Sequence, residues 1–290
     1  MARLCRAAPV GAFHVKEPAL TVSHATNAQI FRGLHQDGLL ILPNAWDAGS
    51  ARLIESLGAS AIATTSAGVA WSHGCADGDL LPVPLLVATV TEIARAIRAP
   101  LSVDVEGGYS SDPRSVGETV RAVVDAGAVG INVEDGALPP DLLCAKLERV
   151  RSAAQQRGVD LFVNVRTDVY LRGLAPREQR VEETLARAAR YRAAGADGLF
   201  VPGLVDRGEI RTIAVRAGLP LNVLVRPGLP DAAELAGLGV RRLSAGSDVA
   251  EAALGRVAAV VSAFLRDGRS EPLSEGALPY ADAQALMAVR

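Results

Sequence analysis

The chain is poor in the residues on which several common chemistries depend. It has three cysteines, Cys5, Cys75 and Cys144, and no CxxC pair among them. That excludes a disulfide framework and points to a reducing compartment, so the expected location is cytoplasmic. Its four histidines include no HExxH motif and no pair spaced for zinc, and neither a GxSxG elbow nor a Walker loop occurs. Charge of one sign is lacking too: 30 basic residues stand against 32 acidic ones, a net charge of -2. Nothing there favours a nucleic acid or an anionic membrane, and a small molecule is the expected partner. No apolar run reaches the ~18 residues of a membrane-crossing helix. The N-terminal Arg3 and Arg6 precede an apolar stretch broken by Pro9, His14 and Lys16, a poor signal peptide.

What is abundant is a repeat of apolar strand, loop and amphipathic helix. Strands are expected at 39–43, 61–65, 101–106, 130–134, 161–166, 198–202, 221–225 and 242–245. Four are preceded by helix ends reading LGASAI, AGAVGI, AGADGL and LGVRRL, in which glycine closes the helix. Helices are expected at 24–36, at 112–126 with Asp112 as cap and Pro113 in the first turn, and at 176–194. Eight such units in 290 residues predict a (β/α)8 barrel, for which about 250 residues is typical. An open doubly wound sheet is the lesser alternative, since no glycine-rich dinucleotide fingerprint follows the first strand. The expected division is an extension at 1–23, a barrel at 24–267, and a linker with a trailing helix at 268–290 that could pack on a partner subunit.

The stretch LSVDVEGGY ends in Asp104 and Glu106, and its echo GINVEDG ends in Glu134 and Asp135. Carboxyl ends of parallel strands are where active sites are built. Alternation by two puts Asp104 and Glu106 on one strand face, and Glu134 would join them from the neighbouring strand. Oxygen donors without histidine or cysteine suit magnesium, or manganese, far better than zinc. The alternative, capping of the following helices, is the expectation for Asp135. Elsewhere at the barrel mouth, Ser66, Ala67 and Gly68 could bring backbone amides to an anion, or form an ordinary tight turn. Arg166 could clamp a carboxylate, or be an ion pair with the acids beside it. Asn222 also reaches this end. His14, His24 and His35 are expected at the surface, and Cys144, within LLCAKL, in the core.

The run ILPNAWDAGSARLIESLGASAIATTSAGVAWSHGCADGD, followed by VDVEGGY, INVEDG, NVRTD, AGADGLFVPG and PLNVL, resembles the isocitrate lyase and phosphoenolpyruvate mutase superfamily over roughly residues 30–260. The resemblance implies a magnesium-dependent barrel acting on 2-oxo or 2-hydroxy carboxylates through an enolate-like species. It implies Asp104 as direct magnesium ligand, with Glu106 and Glu134 holding the metal through water. Ser66, Ala67, Gly68, Arg166 and Asn222 would bind the substrate carboxylate, and Asp77 would lie on a mobile loop after the second strand, as lid or proton relay. Helix exchange between subunits, in a homodimer or homotetramer, is implied as well. Two departures stand out. The lyases' KxCGH loop is replaced by EDGALPPDLL, and where the mutases have histidine and the lyases glutamate this chain has Pro202. The resulting expectation is a carbon–carbon lyase of another branch. The alternatives are a phosphonomutase of the carboxyvinyl-carboxyphosphonate type, an oxaloacetate-type hydrolase or decarboxylase, and a non-catalytic binder of small carboxylates.

Overall fold

The structure, a computed structural model, describes residues 23–288. Cys5, His14 and nearly all of the expected extension at 1–23 lie outside the described residues. The chain begins with α1 (His24–Gly33), β1 (Leu40–Leu42), β2 (Asn44–Ala45), α2 (Ala48–Ser56), β3 (Ile62–Thr64), α3 (Ser66–Ser72) and α4 (Val83–Ala96). It continues with β4 (Leu101–Asp104), α5 (Pro113–Asp125), β5 (Gly130–Glu134), α6 (Pro140–Arg157), β6 (Phe162–Arg166) and α7 (Arg180–Ala193). After β7 (Gly198–Phe200), α8 (Arg207–Arg216), β8 (Leu221–Leu224), α9 (Ala232–Gly237) and β9 (Val240–Ser244) come three trailing helices, α10 (Asp248–Asp267), α11 (Glu271–Ser274) and α12 (Tyr280–Ala288).

All strand pairs are parallel, and each strand from β2 to β9 bonds its sequence neighbour while β9 bonds β1. This is a nearly closed (β/α)8 barrel, as expected, with one difference. The first strand is two segments, because Pro43 has no N–H to continue the ladder. β1 pairs with β9 and β2 with β3, so the two sides of the ring meet across that one residue. Asp112 caps α5 through the N–H of Arg114 at 3.0 Å, and Pro113 begins it. Gly127 and Gly195 follow α5 and α7 with φ of 116° and 108°, conformations closed to a side chain.

The barrel floor corrects one expectation. His35 is not at the surface but 2% exposed, stacked at 3.9 Å on Phe162, with Nδ1 2.8 Å from the carbonyl of Phe31. Burial, reinforced by the charge of Arg242, pulls its pKa from 6.5 to about 3. The folded state therefore holds His35 neutral while the unfolded chain protonates it near pH 6.5. The stability this confers is present above that pH and is lost as pH falls toward 3, roughly 2 kcal/mol of it by pH 5. His35→Phe should flatten the pH dependence of urea unfolding between pH 6.5 and 5; an unchanged slope would refute the assignment.

The eighth helix departs from the ring. Ala250, near the start of α10, is buried, but Leu254, Val257, Val261 and Phe264 are 53%, 54%, 41% and 44% exposed. These positions recur at helical spacing and form one apolar stripe. Below α10, an open groove of about 630 Å³ is lined by Leu34, Leu39, Ile41, Ile54, Leu57 and Val249. Ile41 points outward from β1 and is 59% exposed, although the outward face of a barrel strand is ordinarily covered by a helix. The chain then returns, and Arg52 on α2 donates to the carbonyl of Leu286 on α12 at 2.9 Å. Among the described residues no helix is long and apolar enough to cross a membrane.

Candidate active site

Asp104 closes β4 and Glu134 closes β5, two residues beyond Asn132, the strand partner of Asp104. The expected alternation of Asp104 with Glu106 does not hold. The strand ends at Asp104, and Glu106 turns into the left-handed region at φ 50°, which breaks the period of two. Its side chain is nonetheless 5% exposed. Oε2 of Glu106 accepts the N–H of Gly78 at 2.9 Å and also that of Asp79. Asp79 in turn accepts the N–H of Tyr109 at 2.9 Å through Oδ1. Asp79, Glu106 and Tyr109 are the non-glycine residues with positive φ among the described residues, and all three lie in this clasp between the β3 loop and the β4 loop. Strain concentrated in one clasp is typical of functional sites. Asp77 sits exposed on the same β3 loop, and its charge bears on both Asp104 and Glu106.

The charges at this mouth are unbalanced. Desolvation lifts the Asp104 carboxyl above the usual range, against the pull of Arg166, the Glu106 N–H and the Asn132 amide. Burial lifts Glu106, and Asp77 and Asp79 add to it. Glu134 is pushed up to about 8 by burial, against the pull of Arg166 and with the charges of Asp104, Asp168 and Glu106 adding to the rise. Among the described residues no group of three His, Cys, Asp or Glu side chains is arranged to hold an ion directly. The donor chemistry still fits a hard divalent cation: oxygen donors alone, buried carboxyls whose ionised forms a cation would compensate.

Arg166 takes the ion-pair alternative. Its Nε and Nη2 grip Asp168 at 2.7 and 3.1 Å, and Nη1 meets Glu134 at 2.7 Å. Asp135, expected as a cap, is a buried hub instead. It accepts from the Thr167 hydroxyl at 2.8 Å, the Asp168 N–H at 3.0 Å, Arg187 Nη1 at 2.8 Å and the Tyr191 hydroxyl at 2.7 Å. It thus ties α7 to the end of β6 and sets the acid that holds Arg166. Asp135→Ala should cost about 3–5 kcal/mol in chemical denaturation, since it leaves the buried Tyr191 and Thr167 hydroxyls and the Nη1 of Arg187 without their acceptor; a loss below 1 kcal/mol would contradict the hub.

Ser66, Ala67 and Gly68 form the first turn of α3, capped by Thr65. A Cβ on Gly68 would stand 2.6 Å from Thr65 Cγ2 and 3.0 Å from Trp46 Cβ, so glycine is what lets α3 lie against β2. Asn222 is placed differently from the expectation. It is 1% exposed, and its amide nitrogen donates to Ser244 Oγ, at 3.0 Å, and to two backbone carbonyls, while its oxygen accepts from Asn164. It belongs to a polar belt inside the barrel, with Asn132 and Asn164, rather than to the open mouth. Asn132 was missed, although its place two residues before Glu134, on the same strand face, was a readable signal. Lys146, also missed, is 3% exposed and ties α6 to the carbonyl of Gly107 at 2.6 Å.

The family described as phosphoenolpyruvate phosphomutase matches residues 31–265. The chain belongs to this family. As a phosphoenolpyruvate phosphomutase family member it is similar to an oxaloacetate decarboxylase of Pseudomonas fluorescens, 30% identical over 240 residues that cover 78% of this chain and 80% of that protein. Among solved structures, a candidate phosphonomutase of Burkholderia cenocepacia J2315 is 40% identical, covers 83% of this chain and 99% of its own, and has a TM-score of 0.78. A 2,3-dimethylmalate lyase of the mutase and isocitrate lyase superfamily is 26% identical over 92% of this chain and 95% of its own, with a TM-score of 0.79. Relatives on this barrel thus include lyases and mutases, which supports an enzyme.

Proposed function

We propose that the chain cleaves a carbon–carbon bond next to the carbonyl of a small 2-oxo carboxylate, and that loss of carbon dioxide from a 2-oxo diacid fits its residues best. The carrying observation is the mouth itself: burial lifts the carboxyls of Asp104, Glu106 and Glu134, even though Arg166 pulls on Asp104 and Glu134, a strain that a bound cation would relieve, while the end of β7 offers Pro202 and the chain after β5 runs through Ala137 and Pro139 into α6. Cleaving a 2-hydroxy acid needs a base for the hydroxyl proton, and phosphoryl transfer needs an acceptor; these two segments supply neither. Decarboxylation needs no such base, because the electron pair of the breaking bond flows into the ketone as carbon dioxide leaves, and a proton later adds at carbon. The similarity to an oxaloacetate decarboxylase over 78% of the chain supports the same reading.

Magnesium, or manganese, when bound would stabilise the negative charge that develops on the substrate oxygens. Asp104 would hold it directly, with Glu106 and Glu134 reaching it through water. The positive charge of Arg166 and the first turn of α3 at Ser66, Ala67 and Gly68 would orient the substrate carboxylate, and the β3 loop carrying Asp77 would exclude water. Asn222 supports this arrangement from the interior.

Incubating purified protein with magnesium and a panel of oxaloacetate, phosphonopyruvate and 2-hydroxy diacids, while following pyruvate and glyoxylate, tests the proposal. Pyruvate from oxaloacetate is the expected product. Glyoxylate would indicate the 2-hydroxy acid lyase, and thermal stabilisation by these ligands without product would indicate a non-catalytic binder. The exposed stripe of α10 and the groove at Ile41 support a second copy of this chain as the partner, each subunit laying α10 into the groove of the other.

A further inference from the structure

Arg242 is a cation buried inside the barrel for which the mechanism above has no use. It is 1% exposed, on the inward face of β9. Its Nη2 donates to Asn132 Oδ1 at 3.1 Å, while Nε and Nη1 have no partner. Burial pulls its pKa down to about 9, which leaves it charged at neutral pH, and Asp104 is the acid whose charge bears on it. Burying an incompletely paired guanidinium costs several kcal/mol. A leucine or methionine would fill the same space more cheaply, so the cation calls for a reason other than packing.

The reason lies in what a guanidinium can face. It has five N–H donors and no acceptor, so only the oxygen end of the Asn132 amide can turn toward it. The same oxygen accepts from Asn164 Nδ2 at 2.9 Å. Two donors on that oxygen send the amide nitrogen the other way, where it donates to Asp104 Oδ2 at 3.2 Å. The remaining oxygen, Oδ1, accepts the N–H of Glu106 at 3.0 Å. A flipped Asn132 would set N–H against N–H at Arg242 and oxygen against oxygen at Asp104.

We infer that Arg242 is a positioning residue for the cation seat: by locking the Asn132 amide it fixes the rotation of the Asp104 carboxylate, on the far side of that amide. The inference rests on the reading of Asp104 as principal cation ligand. Groups that orient a ligand from behind typically change metal affinity 10- to 100-fold when removed.

Manganese titrations of the full chain, followed by electron paramagnetic resonance at a temperature where every variant is folded, decide it. R242M and N132A should each weaken manganese binding by about tenfold or more, and the double variant should be no weaker than the worse single one, because both act on Asp104 through one amide. R242K, which keeps the charge but not the planar fork, should recover part of the loss, and with N132A it carries the same comparison if R242M does not fold. Unchanged affinity in the variants, or losses that multiply in the double variant, would overturn the positioning role while leaving the seat intact. Wild-type protein that binds no manganese would overturn the seat, and this inference with it.

Discussion

Asp104→Ala is expected to lower the proposed magnesium-dependent turnover by at least about a thousandfold, because it removes the carboxylate proposed to hold the ion directly. The companion variant Asp104→Asn separates this effect from folding. The shape is kept, and the carbonyl of the new amide can still accept the N–H of Glu106, although its nitrogen then meets the Asn132 amide nitrogen and one hydrogen bond is lost. Burial lifts the Asp104 carboxyl above its ordinary value, so ionising it costs the folded state free energy. Its contribution to stability is present at low pH and is lost as pH rises past the unfolded value. A neutral asparagine escapes that loss. In the absence of cation, Asp104→Asn should therefore lose less stability than wild type as pH rises from 5 to 8, while being as inactive as Asp104→Ala. Kinetics and urea unfolding on the same samples check both halves. A stable Asn variant with near-normal turnover would remove Asp104 from the chemistry.

Charging the apolar stripe of α10 is expected to dissociate the proposed α10-exchanged assembly into monomers. Leu254, Val257, Val261 and Phe264 expose a continuous apolar face of a kind that a soluble monomer rarely carries. The groove at Leu39, Ile41 and Ile54 is its complement: an uncovered barrel strand where the eighth helix of the ring would ordinarily lie. The proposed exchange of α10 between two copies would satisfy both surfaces at once with a closed two-fold assembly. V257E with F264E on the helix, or I41E in the groove, should each convert a dimer or tetramer to a monomer in light scattering coupled to gel filtration. Either change alone suffices, because each surface is one half of the same contact. A wild-type monomer at micromolar concentration, or a variant assembly that survives both changes, would refute the exchange.

The barrel was legible because its signals are local: short apolar runs, each preceded by a glycine that ends a helix. The break at Pro43 was legible in principle, since proline removes a ladder hydrogen bond, but whether a strand bends or divides there is decided by its two neighbours, β9 and β3. At the site, strand ends located Asp104, Glu134 and Arg166. Period-two reasoning failed at Glu106, because it presumes extended backbone, whereas the strand ends two residues early at Asp104 and Glu106 itself turns left-handed. Asp135 and His35 were misjudged for a common reason. A polar residue beside a strand end or after a helix reads as surface until the partners that bury it, Arg187 and Tyr191 for one and Phe162 for the other, are brought in from distant segments. Asn222 follows the same logic, drawn inward by Asn164 and Ser244.

Anomalous diffraction from a crystal soaked in manganese tests the seat at the barrel mouth most directly. One strong peak is expected beside the Asp104 carboxylate, facing Glu106 and Glu134, and absent from Asp104→Ala crystals soaked in the same way. A fully soaked crystal with no peak there, or with its ion bound elsewhere on the barrel, would contradict it.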